Sequence, residues 1–220
     1  MKPKVVVTSG ATREPIDSVR FISNLSSGRT GALIAEAFAT RGFQVTHVSG
    51  VESAQAAGVA RRETFTDHAS LDTALRRLAR DSACAAIIHA AAVGDFAVTD
   101  LVPDAKIGSG QELAVKLQPT PKIIERIMGY AGNPNLILVG FKLTHEPDAS
   151  AQARAARDLM TRSRARYVVQ NDVSTLADGE KHLFFLHESG SSRVRRYVGR
   201  EGLAKALAQL LEEQLVGIPR

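Results

Sequence analysis

Lys4-Val5-Val6-Val7-Thr8-Ser9-Gly10-Ala11-Thr12-Arg13-Glu14-Pro15-Ile16-Asp17-Ser18-Val19-Arg20-Phe21-Ile22-Ser23-Asn24-Leu25-Ser26-Ser27-Gly28 runs from a buried strand, through a long polar loop, into the start of a helix. Three consecutive valines followed by a Ser-Gly break mark the strand from Lys4 to Thr8. From Gly28 to Arg41 the apolar residues Ile34, Ala37 and Phe38 share one helical face, and Gly42 is placed to close that helix. Phe43 to Val48 then reads as a second strand. A helix that begins directly after Ser26-Ser27 offers hydroxyls and unpaired backbone N–H groups, which favour an anion by charge and by geometry. Arg13 and Arg20 in the same loop have the side chain best shaped for phosphate or carboxylate.

Outward from this unit, strands and helices alternate. Val59–Phe65 is a third strand, and Thr66 or Asp67 caps a helix with the stripe Leu71, Ala74, Leu75 and Leu78. Ala85–Ala91 lacks alternation, as suits a strand covered on both faces. From Ala92 to Gly110 periodicity fails at Gly94, Asp95, Pro103, Asp104, Gly108 and Gly110, so either a functional flap or a disordered segment is expected there. Glu112–Leu117 alternates like a half-exposed strand, and Thr120-Pro121 opens a helix to about Gly129 with proline at its first position. Asn135–Phe141 is a strand, Ala149–Ser163 a helix, and Tyr167–Gln170 a strand ending at Asn171-Asp172. His182–His187 and Arg193–Val198 form a β-hairpin, and Leu203, Leu207, Leu210 and Leu211 mark a last helix. The expected architecture is one α/β domain over residues 1–220, doubly wound, with a mainly parallel Rossmann-like sheet and a C-terminal hairpin and helix. Ligands of such sheets sit beyond the carboxyl ends of the strands. That directs attention to the loops after Thr8, Ala91, Phe141 and Gln170.

Composition narrows the function classes. The chain has 220 residues, 44% of them hydrophobic, and a formal charge of +5. Its arginines are scattered and not interleaved with aromatics, so small anionic substrates fit better than nucleic acid. No apolar run approaches a membrane span, and no signal peptide is read at the N-terminus. Cys84 is the only cysteine, which suits a reducing cytoplasm. His47, His68, His89, His145, His182 and His187 show no metal-ligand spacing. His89 and Cys84, in or beside an apolar strand, read as core. The first loop is not a dinucleotide fingerprint, because the second strand ends Val48-Ser49-Gly50 without a ribose-binding acid. There is no phosphate-loop lysine motif and no nucleophile elbow.

Thr12 to Asp17 followed by Val19 to Gly28 resembles the signature of phosphopantothenoylcysteine synthetases, which occur alone or as the second half of the bacterial bifunctional coenzyme A biosynthesis protein. Ala90-Ala91-Ala92-Val93-Gly94-Asp95-Phe96, Lys106-Ile107, Leu117–Ile124, Val139-Gly140-Phe141 and Asn171-Asp172-Val173-Ser174 resemble further family segments, so the likeness covers nearly the whole chain. It departs at Gly108-Ser109, where one form of the family has Lys-Lys. It also departs at Phe141-Lys142-Leu143-Thr144, which lacks a glutamate, and at Pro121-Lys122 in place of Pro-Asp.

The resemblance implies a ligase that joins 4′-phosphopantothenate to L-cysteine through an acyl-nucleotide, with CTP favoured over ATP, Mg²⁺ as cofactor and a homodimer as the assembly. By the same resemblance, Ser26, Ser27, Gly28 and Gly10 surround the phosphates. Asn24 donates to the acyl group, Arg20 contacts phosphopantothenate, and Lys106 lies on the flap. Ala91, Ala92, Asp95 and Phe96 border the nucleotide, Phe141 and Asn171 complete that side, and the metal ligands stay unassigned. No decarboxylase is expected to be fused to this domain. The competing reading is a nucleotide- or NAD(P)-binding regulatory module on the same fold without ligase activity.

Overall fold

The computed structural model describes residues 2–100, 104–108, 110, 112–175 and 181–216. The expectations resting on Pro103 and Ser109 lie outside these residues. The main sheet has eight strands: β1 (Lys4–Ser9), β4 (Gln44–Gly50), β5 (Arg61–Phe65), β6 (Cys84–His89), β9 (Ile137–Thr144), β10 (Tyr167–Asp172), β11 (Leu183–Glu188) and β12 (Val194–Val198). Their order across the sheet is β12-β11-β10-β9-β6-β1-β4-β5. The six strands from β10 to β5 run parallel, and the hairpin β11–β12 continues the same sheet antiparallel to β10. The doubly wound, mainly parallel fold is therefore present, and the terminal hairpin is its edge.

Five helices cover the two faces: α1 (Arg29–Thr40), α2 (His68–Ala79), α3 (Ile123–Tyr130), α4 (Ala149–Ser163) and α5 (Arg200–Val216). Alternate residues of the central strands divide between them. Val5, Val7, Ala86 and Ile88 face α1 and α5, where Ile34, Phe38, Leu203 and Leu207 are buried. Val6, Ile87, Leu138 and Val168 face α2, α3 and α4, where Leu71, Leu75, Ile127 and Leu159 are buried. β6 and β10 are buried at every residue, which is why their sequences do not alternate. The chain winds from β1 through β4 to β5 on one side and then crosses to β6 on the other. The strand order thus reverses at the β1/β6 junction, where sheets of this kind open a crevice.

Three sequence expectations are corrected. Glu112–Lys116 forms no strand; the extended segment is β8 (Leu117–Pro119), paired antiparallel with β7 (Phe96–Val98). Its Leu117 and Val115 alternation reflects a segment lying along the surface, with Leu117 exposed. The helix expected from Pro121 starts at Ile123 with Lys122 as N-cap, so the proline precedes the cap and does not occupy the first turn. The long polar loop expected after β1 is regular in part: it contains a small hairpin of β2 (Arg13–Pro15) and β3 (Phe21–Ser23).

The caps follow the sequence signals. Gly42 takes φ 79° directly after α1. Asp67 caps α2 by accepting from Ser70 N at 2.8 Å, while Ser70 Oγ accepts from Asp67 N at 3.0 Å, which satisfies two orphan donors reciprocally. Asp67→Ala removes the side-chain acceptor, so a loss of about 1 kcal/mol is expected. Urea unfolding followed by circular dichroism measures it, with the slope of the transition unchanged.

Candidate active site at the β1/β6 switch point

The hydrogen-bond ladder between β1 and β6 continues past the strand ends. Ala90 N donates to Thr8 O at 3.3 Å, Ala92 N to Gly10 O at 2.7 Å, and Thr12 N to Ala92 O at 3.2 Å. Side chains reinforce it: Ala91 N donates to Thr8 Oγ1 at 3.1 Å, and Gly94 N to Thr12 Oγ1 at 2.8 Å. Thr8 Oγ1 also hydrogen-bonds His89 Nδ1, 2.9 Å away. Burial pushes the His89 imidazole down to about 4, so the ring is neutral. His89 is thus a satisfied core group that fixes where the loop leaves β6. Cys84 is core as well, its thiol pushed up to about 12 by burial, aided by the nearby Asp81 charge.

This ladder sets Ala91 and Ala92 beside Gly10, the first of the expected nucleotide residues to meet. Gly10 has φ 81° and Gly28 φ 75°, a region L side chains rarely adopt. A Cβ on Gly10 would lie 2.0 Å from Ser53 Oγ and 3.0 Å from Gly50 N; one on Gly28 would lie 3.0 Å from Ser53 Cβ and 3.1 Å from Gly10 N. The end of β1 and the start of α1 therefore touch backbone to backbone. Gly28 is the N-cap of α1 and supplies no side-chain cap. Ser27 Oγ reaches Arg29 N only at 3.5 Å, while Ser27 O accepts from Ala54 N at 2.9 Å. Ser26 is half-buried and Ser27 exposed. The result is a helix start that presents N–H groups and two hydroxyls at the switch point, the arrangement that attracts phosphate.

Asn24 is exposed, and its Nδ2 donates to Val93 O at 3.0 Å, joining the first loop to the loop after β6. Asp95 and Phe96 follow Val93 and are exposed. Asp95 is paired with Lys122, and its carbonyl accepts from Thr120 N at 2.9 Å. Lys122 is the residue that replaces an acid in the Pro-Asp pattern. A lysine there places a cation on the Asp95 carboxylate.

The two loop arginines are not free. Arg13 pairs with Glu52 at 2.6 Å and lies 4.6 Å over the Phe21 ring. Arg20 pairs with the carboxylate of Asp17 at 2.5 Å and donates to Ile107 O at 3.1 Å. Each guanidinium thus already meets a carboxylate within the loop region, so any anion reaching Arg13 or Arg20 meets a side chain whose charge is partly balanced. Lys106, adjacent to Ile107, is exposed, and its ammonium forms no ion pair among those of the described residues.

Phe141 is half-buried in β9 against the α1/α5 side of the core. Asn171 is the last residue but one of β10, beyond β9 from the switch point, and hydrogen-bonds His182 Nε2 at 3.1 Å. Next to it, the Asp172 carboxylate accepts from Thr144 Oγ1 at 2.6 Å, Ser174 Oγ at 2.8 Å, Ser174 N at 3.0 Å and Glu146 N at 3.1 Å. Burial would raise this carboxyl, but the hydrogen bonds hold it well below the usual range. Asn171 and Asp172 thus tie down the loop ends of β9 and β10. Among the described residues no cluster of three or more His, Cys, Asp or Glu could hold a metal ion, and no helix is long and apolar enough to cross a membrane.

Sequence reasoning passed over Thr8, Thr12, Ser53 and Asp17. Thr12 and Asp17 lie inside the quoted motif, but their importance rests on which loop they meet. That contact has no local signal.

The sequence and the fold both recur among known proteins. The chain is 34% identical over 212 residues to the coenzyme A biosynthesis bifunctional protein CoaBC of Thermococcus kodakarensis, covering 96% of this chain and 51% of that protein. It is 35% identical over 172 residues to the protein of the same name from Haemophilus influenzae, covering 77% and 41%. The chain spans about half the length of these curated relatives. The crystal structure of the DNA/pantothenate metabolism flavoprotein from Streptococcus pneumoniae has the same fold, with a TM-score of 0.85 at 23% identity over 96% of this chain and 99% of that one. A Cab2 mutant in complex with phosphopantothenate-cysteine superposes with a TM-score of 0.77 at 21% identity, covering 98% and 88%. The resemblance carried by the first loop extends to the sequence pattern of a whole family, matched over residues 1–215, and the chain belongs to the DNA/pantothenate metabolism flavoprotein C-terminal domain family.

Proposed function

We propose that this chain is a phosphopantothenate–cysteine ligase that activates 4′-phosphopantothenate with CTP and joins it to L-cysteine. The observation that supports this most is the stitching of the first loop to the loop after β6, which gathers the start of α1, Asn24, Asp95 and Lys106 at one end of the sheet. The relatives' names point to coenzyme A biosynthesis, and the Cab2 structure holds phosphopantothenate-cysteine.

A carboxylate is a poor acylating agent. In the first half-reaction the phosphopantothenate carboxylate attacks the α-phosphorus of CTP, and the bond to pyrophosphate breaks. In the second, the cysteine amine attacks the acyl carbon, the acyl–phosphate bond breaks, CMP leaves, and the amine loses its proton. The uncapped N-terminus of α1, with Ser26, Ser27 and Gly28, receives phosphate oxygens, and Gly10 lets them approach the backbone. Asn24, one N–H held by Val93 O, directs its amide at the acyl oxygen. Ala91, Ala92, Asp95 and Phe96 border the nucleotide. Phe141 lines the α1 side, and Asn171 steadies the neighbouring loop. Arg20 reaches phosphopantothenate from its pairing with Asp17.

Among the described residues no group of three or more His, Cys, Asp or Glu could hold a magnesium ion. Mg²⁺ is accordingly expected to arrive on the triphosphate, the usual habit of this ion. CMP and pyrophosphate release in the presence of phosphopantothenate tests the reading directly. Its absence would leave a nucleotide- or NAD(P)-binding module. CTP is expected to outperform ATP under matched conditions; equal or faster turnover with ATP overturns that preference.

Lys106→Gln keeps length and hydrogen-bonding capacity and removes the charge that stabilises the α-phosphate as CMP leaves. Turnover is expected to fall about 10²-fold, mostly in amide formation, while stability changes by less than about 0.5 kcal/mol. Rapid-quench measurement of both half-reactions checks this.

The assembly is a homodimer. Val19, Phe21, Ile22 and Leu25 on and beside the β2–β3 hairpin are exposed, and a second copy of the chain would cover them. Sedimentation at assay concentration should give twice the 23.6 kDa of the chain, and Leu25→Glu should shift the protein towards monomer.

A further inference from the structure

The segment carrying Lys106 does not stand free of the first loop. Ser18 N donates to Ala105 O at 3.2 Å, Ile107 N donates to Asp17 Oδ2 at 3.0 Å, and Arg20 donates to Ile107 O at 3.1 Å. Lys106 is therefore held on both sides by residues of the loop between β2 and β3. At the centre of these contacts is Asp17, whose side chain is fully buried. Its carboxylate accepts from Val19 N at 2.9 Å, Arg20 N at 2.7 Å, Arg20 Nη1 at 2.5 Å and Ile107 N at 3.0 Å. Burial alone would raise this carboxyl. The N–H groups of Val19, Ile107 and Arg20, with the Arg20 charge, outweigh it and hold it at about 2. The folded value lies below the unfolded one, so the stabilisation is complete above about pH 4 and fades only as pH falls towards 2.

A turn-forming Asp needs only the amides two and three residues ahead of it, and Val19 and Arg20 meet that need. The bond to Ile107 spans 90 residues of sequence and has no part in the turn. It orders the flap against the loop that also carries Arg20 and, further on, Asn24.

We propose that Asp17 is a positioning residue: its carboxylate clasps Ile107 and Arg20 together and so fixes Lys106 and Arg20 relative to one another for the reaction. This rests on the ligase reading of the site. Asp17 touches no substrate. Its effect passes through Lys106, and the nucleotide is still received by the start of α1.

The test is Asp17→Asn, alone and with Lys106→Gln. An asparagine retains one acceptor oxygen for the turn amides and loses the second oxygen that holds Ile107 and Arg20. Turnover is expected to fall by up to about 10²-fold, the scale of a small misplacement of a reacting group, with KM for CTP nearly unchanged. In the Lys106→Gln background the same change should add little, because the charge it positions is already gone. Hydrogen exchange at the Ile107 amide should accelerate, while amides of β1 and β6 keep their protection. Near-normal turnover in Asp17→Asn, or a full additional loss on top of Lys106→Gln, overturns the proposal. Should Asp17→Asn fail to fold, Ile107→Pro removes the flap's donor and leaves the first loop intact; it is expected to lower turnover in the same way, and normal turnover would again overturn the clasp. The exchange measurement needs no catalysis. If the unsubstituted protein releases no CMP, the ligase reading fails, while the Ile107 amide still decides whether Asp17 holds the flap.

Discussion

The hydrogen bond from Ala92 N to Gly10 O, 2.7 Å long, carries the pairing of β1 and β6 beyond the sheet, and the site depends on it. Parallel strands normally part at their carboxyl ends, and at a switch point the connections diverge to opposite faces. Here the two backbones stay paired through Ala11 and Ala92. The bond forms only because Gly10 turns through positive φ and because no Cβ intervenes between Gly10, Gly28 and Ser53. Once the two loops are joined, Thr12 reaches Gly94, and Asn24 reaches Val93. The start of α1 is then locked next to the loop that leads to Asp95.

The neutral polar groups beneath this junction serve the same end. Thr8 and His89 sit side by side on the α2/α3 face, and Ser9 and His47 on the α1 face, where Ser9 Oγ lies 2.8 Å from His47 Nε2. Buried polar groups need partners, and these satisfy each other pairwise across β1–β6 and β1–β4. Burial keeps both imidazoles neutral, so they add no charge at the switch point.

Much of the fold was legible because it is written in local patterns. Val5-Val6-Val7 and the all-buried β6 announce parallel strands, Asp67 announces α2, and the spacing of Leu203, Leu207 and Leu211 announces α5. The errors fall where tertiary context overrides a local cue. The alternation over Glu112–Leu117 looked like a strand but has no neighbouring strand until Leu117 meets Val98. Pro121 looked like a first-turn proline, but the chain stays extended through Lys122. In the site, glycines and the serines before α1 could be placed from the motif, since backbone chemistry depends on the residue itself. The roles of Arg13, Arg20 and Asp17 could not, because an ion pair is decided by which carboxylate the fold brings near. Glu52 and Asp17 both come near.

These pairings change the electrostatic account of the site. A sequence rich in loop arginines suggests a bed of cations for a triphosphate. Yet Arg13 is neutralised by Glu52 and Arg20 by Asp17, and Lys122 rests on Asp95. Among the described residues, Arg29 in the first turn of α1 and Lys106 take part in no ion pair of this group. A ligase of the proposed kind would gain little from binding all charges tightly, since uniform binding does not speed a chemical step. Backbone N–H groups at the helix start bind phosphate by direction and need no net charge. On the proposed reading, Lys106 adds positive charge where negative charge builds up on the leaving phosphate. Pairing Arg13, Arg20 and Lys122 internally leaves Arg29 and Lys106 as the unpaired cations of this group, and on the proposed reading it makes the position of Lys106 matter more than the total charge of +5.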